Sequence, residues 1–232
     1  MPFVIKKSKQ LNMLFVGAGG LAAQLFEDLL ASNIQDIVFW SEVETGNDFI
    51  KEKFKIISTD EEVVEYFTNV SRSYVMCIGD IVHRKRMTEK FVALGGNQAS
   101  FITPFCRISP FVKKIGICNM ILKDAELEPG VIIGNYNLLN KKSNYGHGCI
   151  VGNNCEIGPM VTIAAYAEIG DDTLIGISAL ILPRIKIGKN VIISAGSVVT
   201  RNIPDNAVVA GVPGVIRFFK KLKGEEGAAK QG

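Results

Sequence analysis

The chain has 232 residues, of which 47% are hydrophobic and 21% are charged, and its formal net charge is +3. This balance is ordinary for a globular protein, and so small a net charge excludes a bulk electrostatic argument for a nucleic-acid partner. No apolar run is long enough to cross a membrane and no signal peptide precedes the first polar segment, so we expect a cytoplasmic protein without membrane insertion.

The cysteines argue against disulfides and against a metal site. There are five, an odd number, and no two of them form a C-x-x-C pair. Widely spaced cysteines of this kind favour reduced, packed thiols, and we expect no bound metal.

The first hundred residues alternate short apolar runs with helix-like segments. Strands are predicted at 13–17, 36–40, 54–58 and 73–79, with a further extended run from about 97. Helices are predicted at 21–32, at 60–69 with Thr59 or Asp60 as its cap, and from Asp80 to about Leu94. Alternation of this kind predicts a parallel sheet with flanking helices, that is, an α/β Rossmann-like domain over residues 1–106.

From residue 107 the sequence becomes periodic. An apolar or aromatic residue occupies every sixth position from Ile115 to Val199, fifteen times without a break in register. Glycine often follows this residue, and small or β-branched residues dominate four positions after it. A six-residue unit with one inward aliphatic forms one side of a triangular coil of about eighteen residues, so we predict an all-β parallel β-helix over 107–203. A β-sandwich would instead show irregular spacing and hairpin signals.

The C-terminal segment leaves this register. Residues 204–222 contain two prolines and then an apolar stretch, which we interpret as a loop and a short C-terminal helix. Residues 223–232 are polar and rich in glycine and alanine, and they are predicted to form a disordered tail.

The hexapeptides of the form I-G-x-x-[STAV], followed by IPDNAVVAGVPG at 203–214, resemble the left-handed β-helix acyltransferases. With GAGGLA at 17–22 ahead of a small α/β domain, the layout from 11 to 218 is similar to the NeuD/PglD-like group. That group comprises N-acetyltransferases of nucleotide-linked 4-amino-sugars, such as the bacillosamine and perosamine types, and sialic acid O-acetyltransferases. The resemblance implies acetyl-CoA as co-substrate, a nucleotide-sugar bound by the N-terminal domain, a role in O-antigen and lipopolysaccharide biosynthesis, and a homotrimer with active sites between subunits.

The resemblance also implies two catalytic residues. The group carries its catalytic histidine in a segment N-x6-H-x-C-x-I-G, onto which Asn140 and His147 fall. An imidazole can accept a proton as a sugar amine attacks a thioester, and an amide can orient the acceptor. Many relatives place a carboxylate directly after the histidine, where this chain has Gly148. Either another acid, a backbone carbonyl or water therefore holds the ring, or His147 only binds substrate and the amine enters already neutral. Taken without the family, His147 would be an ordinary solvated turn residue.

Contacts with the coenzyme are implied at several positions. Glu156 replaces a second histidine that contacts the donor in relatives of the bacillosamine type, and it either meets a neutral part of CoA or covers the surface. The other positions that would line the coenzyme site are Ala165, Ile177, Ala195, Gly211 and Gly214.

GAGGLA follows a strand and precedes a helix, which satisfies the pattern G-x-G-x-x-A. Glycines there permit a tight turn and bring backbone N–H groups and a helix N-terminus to a phosphate. Alone, the pattern indicates NAD binding or merely a tight turn; ahead of a β-helix we expect it to hold the diphosphate of a nucleotide-sugar. The residues expected around this substrate are Gly17, Gly19, Gly20, Ser41, Glu42, Gly79, Asp80 and Arg84. Asp80 has an alternative role as a helix cap.

Three other functions have a fold or a motif in common with this sequence. Acetylation of a hydroxyl of sialic acid would use the same fold. An NAD- or nucleotide-binding protein without acyltransferase activity would explain the glycine-rich turn but leave the β-helix without a role. A β-helix carbonic anhydrase is excluded because its zinc site needs three histidines, and the chain has only His83 and His147.

Overall fold

The computed structural model describes residues 12–31, 37–42 and 48–221. The N-terminal part is a five-stranded parallel sheet in the order β3-β2-β1-β4-β5. Its strands are β1 (Met13–Val16), β2 (Ile37–Trp40), β3 (Lys55–Ile57), β4 (Ser73–Met76) and β5 (Asn97–Gln98), and its helices are α1 (Gly20–Ala31), α2 (Asp48–Lys53), α3 (Asp60–Asn69) and α4 (Ile81–Ala93). The predicted strands and helices are therefore confirmed, and the short helix α2 was not predicted.

Side-chain caps determine where the two longer helices after β3 begin. The Thr59 hydroxyl accepts a hydrogen bond from the backbone N–H of Glu62 while the Glu62 carboxylate accepts one from the Thr59 N–H, which is a capping box. The Asp80 carboxylate accepts from the N–H of His83 at 2.7 Å, so Asp80 is the cap of α4.

The second part is a triangular parallel β-helix with three faces. Face I contains β6 (Phe101–Ile102), β9 (Met120–Ile121), β12 (Leu138–Leu139), β15 (Glu156–Ile157), β18 (Leu174–Ile175), β21 (Ile192–Ile193), β23 (Ala207–Ala210) and β24 (Val215–Phe219). Face II contains β7 (Arg107–Ile108), β10 (Glu126–Leu127), β13 (Asn144–Tyr145), β16 (Thr162–Ile163), β19 (Leu180–Ile181) and β22 (Val198–Val199). Face III contains β8 (Lys114–Ile115), β11 (Ile132–Ile133), β14 (Ile150–Val151), β17 (Glu168–Ile169) and β20 (Lys186–Ile187).

The six-residue period is the inward ladder of this β-helix. All fifteen positions except Ile115 are at most 3% exposed, and strands eighteen residues apart pair in parallel without a shift. Three residues after each inward side chain from Ile115 to Ile193 the backbone takes a positive φ, near +60° at most of these corners, and non-glycine residues such as Asn154 and Tyr166 adopt it. The predicted α/β domain followed by a left-handed β-helix is confirmed.

The α/β domain packs on face I. Outward side chains Met120, Leu122 and Leu138 join the same apolar cluster as Phe15 and Leu25 of the α/β domain. Strand β6 pairs with β9 in this face, so the first strand of the coil lies before residue 107. This docking places the carboxyl ends of the α/β strands beside the middle coils of the β-helix.

The predicted C-terminal helix is wrong. Residues Ala207–Ala210 continue face I as β23, and Val215–Phe219 return as β24, antiparallel to β23. The apolar stretch 215–219 thus pairs with β23 at the end of face I. The local sequence pattern, which is like that of a helix, does not indicate this pairing. The predicted tail at 223–232 lies outside the described residues. None of the described helices could span a membrane.

Candidate active site

His147 lies at the corner between faces II and III, directly after β13. The preceding inward residue, Tyr145, is fully buried, whereas the His147 side chain is 55% exposed. Its backbone N–H donates to Oε2 of Glu128 at 2.8 Å, and its Nδ1 lies 3.3 Å from the same oxygen. The imidazole therefore contacts a carboxylate through Nδ1 and is accessible to a ligand.

Glu128 comes from the same corner of the preceding coil. It precedes His147 by nineteen residues, close to one turn of the coil, and its side chain is 38% exposed. Glu128 was not among the predicted site residues, because it is nineteen residues from His147 in the sequence and meets it only through the stacking of coils. The signal that would have found it is the coil length itself: about eighteen residues back from His147 the chain carries a glutamate.

The next coil places an aromatic ring over His147. The ring centroids of Tyr166 and His147 are 5.1 Å apart at an interplanar angle of 89°, an edge-to-face contact. The guanidinium of Arg184, one coil further, lies 4.9 Å from the Tyr166 ring centroid. Carboxylate, imidazole, phenol ring and guanidinium thus form a column along one corner.

Gly148 is required by this column. Its φ is +67°, and a Cβ at this position would come within 2.6 Å of Cε1 of Tyr166. A side chain after the histidine would displace the ring, so a carboxylate at this position has no space in this chain.

Cys149 is part of the core and not of the reactive surface. It is fully buried inside the coil, and burial, followed by the charge of Glu128, raises the pKa of its thiol to about 12. A thiol with this pKa is protonated at neutral pH and is a poor nucleophile. Cys149 is therefore not a candidate nucleophile.

Asn140 lies at a different corner, between faces I and II. Its Oδ1 accepts from the backbone N–H of Lys141 at 3.0 Å, and its Nδ2 makes no hydrogen bond with any described residue. Asn140 and His147 occupy opposite ends of the side that contains β13. Within one chain the structure does not bring these two predicted residues together.

The predicted coenzyme residues also fall on separate parts of the β-helix. Ala165 follows His147 by one coil on the same corner, whereas Ile177 and Ala195 stack on the corner of Lys141 at eighteen-residue intervals. Gly211 and Gly214 lie in the turn between β23 and β24, where the N–H of Gly214 donates to the carbonyl of Val198.

Glu156 and Arg84 lie at the contact between the two domains. Arg84 is 4% exposed and donates to the carbonyl of Gly79 at 2.7 Å and to that of Cys155 at 3.2 Å. Glu156 Oε1 is 3.3 Å from where a Cβ on Gly79 would lie. Burial raises the pKa of Glu156 against the opposing charge of Arg84, and burial lowers the pKa of Arg84.

This arrangement changes the expectation for both side chains. The Arg84 guanidinium is engaged with backbone carbonyls of both domains, so it holds the β4–α4 loop on the β-helix. Glu156 meets that loop and not the corner that carries Ile177 and Ala195.

The residues predicted to hold a nucleotide gather at one edge of the α/β sheet. The connections leave β1 and β4 in opposite directions, which opens a crevice at the carboxyl ends of these strands. At Gly17, whose φ is +109°, a Cβ would lie 2.8 Å from the carbonyl oxygen of Cys77. A Cβ at Gly19 or Gly20 would meet nothing within 4 Å, so the crevice is open there.

The far side of this crevice is polar. Ser41 is 6% exposed and its N–H donates to the carbonyl of Ile57. The exposed Glu42 carboxylate lies 3.8 Å from Nε2 of His83 and 3.9 Å from Nη2 of Arg86. The structure thus groups the turn after β1, the end of β2 and the loop after β4. Among the described residues no cluster of side chains has the composition of a metal site.

Residues 166–201 match the bacterial transferase hexapeptide family (six repeats). Among solved structures, PerB from Caulobacter crescentus in complex with CoA and GDP-perosamine aligns with a TM-score of 0.78 and 24% identity, over 90% of this chain and 98% of that chain. The acetyltransferase domain of PglB from Neisseria gonorrhoeae FA1090 aligns with a TM-score of 0.77 and 25% identity, over 88% and 98%. The protein has the fold of these acetyltransferases.

WeeI from Acinetobacter baumannii AYE shares this fold at lower identity. It aligns with a TM-score of 0.71 and 19% identity, over 88% of this chain and 98% of that chain. Because they span 88–90% of this chain, the three alignments cover both the α/β domain and the β-helix. No curated protein matches the sequence.

Proposed function

We propose that the protein is an acetyl-CoA-dependent N-acetyltransferase that acts on the amino group of a nucleotide-linked 4-amino-(di)deoxysugar. The proposal depends mainly on His147, whose exposed imidazole contacts Glu128 at a corner of the β-helix. The chain that presents this imidazole has the fold of acetyltransferases. The complex of PerB with CoA and GDP-perosamine supports the choice of donor and acceptor class. The enzyme would act in the cytoplasm, in the synthesis of a bacterial surface glycan such as the O-antigen of lipopolysaccharide.

In the proposed reaction the neutral sugar amine attacks the thioester carbonyl carbon of acetyl-CoA, and the new C–N bond converts the carbonyl into an oxyanion. His147 accepts the proton that the nitrogen loses, acting as general base. Collapse of the intermediate breaks the C–S bond, and the imidazolium returns the proton to the departing thiolate. The products are the N-acetyl sugar and free CoA.

The two substrates are assigned to different surfaces. The crevice around Gly17, Gly20 and Gly79 suits the diphosphate of the nucleotide-sugar, because α1 begins there at Gly20 and the first N–H groups of a helix have no partner within it. The donor is assigned to the coil corners that carry Ala165, Ile177 and Ala195 and to the turn that carries Gly211 and Gly214.

A homotrimer is part of the proposal. Asn140 and His147 stand at two different corners of one β-helix, so a site that contains both needs a second copy of the chain. Three parallel β-helices around an axis would place the Asn140 corner of one subunit beside the His147 corner of the next. The amide Oδ1 of Asn140, which has a second lone pair beside the one bonded to the Lys141 N–H, would then orient the acceptor amine by accepting from its N–H.

The test is release of free CoA from acetyl-CoA against UDP-, GDP- and dTDP-linked 4-amino-sugars, with free sialic acids in the same panel. We expect activity with a nucleotide-amino-sugar, and His147→Ala should lower kcat about 10²–10⁴-fold with little change in KM. Lys186→Ala, an exposed change on face III, is the control. Turnover of sialic acid alone would replace N-acetylation by O-acetylation, and an unchanged kcat in His147→Ala would refute the general base.

A further inference from the structure

We infer that Glu128 is the positioning residue of His147, a carboxylate that the preceding coil supplies in place of one from the residue after the histidine. The inference rests on the proposed function, in which His147 is the base. Glu128 would select the imidazole tautomer and its orientation, and it would not touch either substrate.

A single carboxylate oxygen of Glu128 makes both contacts with His147. The backbone N–H of His147 holds Oε2 at 2.8 Å, so the position of the oxygen does not depend on the rotamer of the imidazole. Nδ1 then lies 3.3 Å from this fixed oxygen. A neutral imidazole can make this contact only with its proton on Nδ1, which leaves the lone pair of Nε2 for the substrate.

This corner has no space for a carboxylate on the residue after the histidine, Gly148. A Cβ on Gly148 would overlap the Tyr166 ring, at 2.6 Å from Cε1 and 2.7 Å from Cδ1. The ring that excludes the side chain also borders the imidazole edge-to-face, and Arg184 lies over its face. The imidazole is thus held by Glu128 on one side and by Tyr166 on another.

The Glu128–His147 pair contributes little to the folding stability of the protein. The side chains of Glu128 and His147 are 38% and 55% exposed, and exposed ion pairs contribute only about 0–1 kcal/mol to folding. The pair therefore has little structural value, and a large effect of Glu128 on turnover would come from orientation of the base.

The test is Glu128→Gln, which keeps an oxygen that can accept from the His147 N–H but removes the negative charge. We expect kcat to fall about 10–100-fold with KM and Tm nearly unchanged, as for other residues that orient a catalytic group. Combined with His147→Ala, the change should have no further effect, because the two residues act as one unit. Glu126→Gln is the matched control: Glu126 lies two residues earlier on β10 and pairs with Arg107 at 3.4 Å.

A second readout separates this inference from the proposed function. The ¹⁵N shifts of the His147 imidazole report which nitrogen carries the proton, and His147→Ala assigns the signal between the two histidines of the chain. We expect the Nδ1–H tautomer in the wild-type protein and its loss in Glu128→Ala, which removes the acceptor oxygen that Glu128→Gln keeps. The same tautomer in both proteins, or additive effects of the two substitutions on kcat, would overturn the positioning role. Failure of the wild-type protein to transfer acetyl groups would instead refute the proposed function and leave the tautomer result intact.

Discussion

A methyl group at position 148 is expected to be far more harmful than its size implies. Gly148 takes a left-handed backbone conformation at a corner of the β-helix, and a Cβ there would lie 2.6 Å and 2.7 Å from two ring atoms of Tyr166. In Gly148→Ala the Tyr166 ring must therefore move. It would lose its edge contact with His147 and its position under Arg184.

The magnitude follows from three contributions. The left-handed conformation costs an L-residue about 1–2 kcal/mol. Loss of the aromatic contact costs about 0.5–1.5 kcal/mol, and loss of the cation–π contact at an exposed site costs about 0.5–1 kcal/mol. We therefore expect Gly148→Ala to lower the free energy of unfolding by about 2–4.5 kcal/mol and to lower kcat as well, because the imidazole loses its contact with the Tyr166 ring.

Gly130 provides a matched control in the preceding coil. It occupies the equivalent corner position at φ +78°, but a Cβ there would make only ordinary contacts, at 3.4 Å and 3.5 Å from Gly148. Gly130→Ala therefore isolates the backbone cost of about 1–2 kcal/mol. Urea unfolding followed by circular dichroism measures the difference. Equal losses for the two variants would refute the steric argument, as would a cost of Gly148→Ala that is as large in a Tyr166→Ala background as in the wild-type protein.

Two further predictions concern the contact between the domains. Arg84→Met removes donors from buried carbonyls of both domains and should lower the free energy of unfolding by about 2–4 kcal/mol, whereas Arg86→Met, at an exposed pair, should change it by less than about 1 kcal/mol in the same denaturation assay. Burial raises the pKa of Glu156, so its ionisation opposes folding above the usual carboxyl pKa and has no effect well below it. Glu156→Gln should therefore match the wild-type unfolding free energy near pH 3 and gain on it as the pH rises to 7, and a constant difference between the two proteins would contradict this.

The β-helix was predictable because its determinant is local. Each coil side needs one inward aliphatic residue, and the residues from Ile121 to Val199 supply it at a fixed interval. The C-terminal strand was not predictable in this way, because β24 is specified by its pairing with β23 and its five residues are all exposed. An apolar stretch without a visible partner was therefore misinterpreted as a helix.

The site was predicted only as far as single positions. His147 was recognised from its flanking residues, but Glu128 contributes through the stacking of coils, which a search of neighbouring positions does not sample. Glu156 was assigned by spacing in relatives, whereas its surroundings here are set by Arg84 and the loop at Gly79. Both differences arise because contacts across coils and between domains decide what a surface residue meets.

The parallel pairing of equivalent residues eighteen positions apart has a consequence for how such a protein could change length. One whole coil could be inserted after β22, or the coil that ends at β22 removed, and every remaining strand would keep its partner face, because Val198 and Val199 already repeat the register of Leu180 and Ile181. Each step would move the C-terminal turn that carries Gly211 by about 4.8 Å relative to His147. A six-residue insertion would instead rotate all later strands onto the neighbouring face. The architecture thus allows the separation between the reacting corner and the end of the β-helix to vary only in increments of one coil.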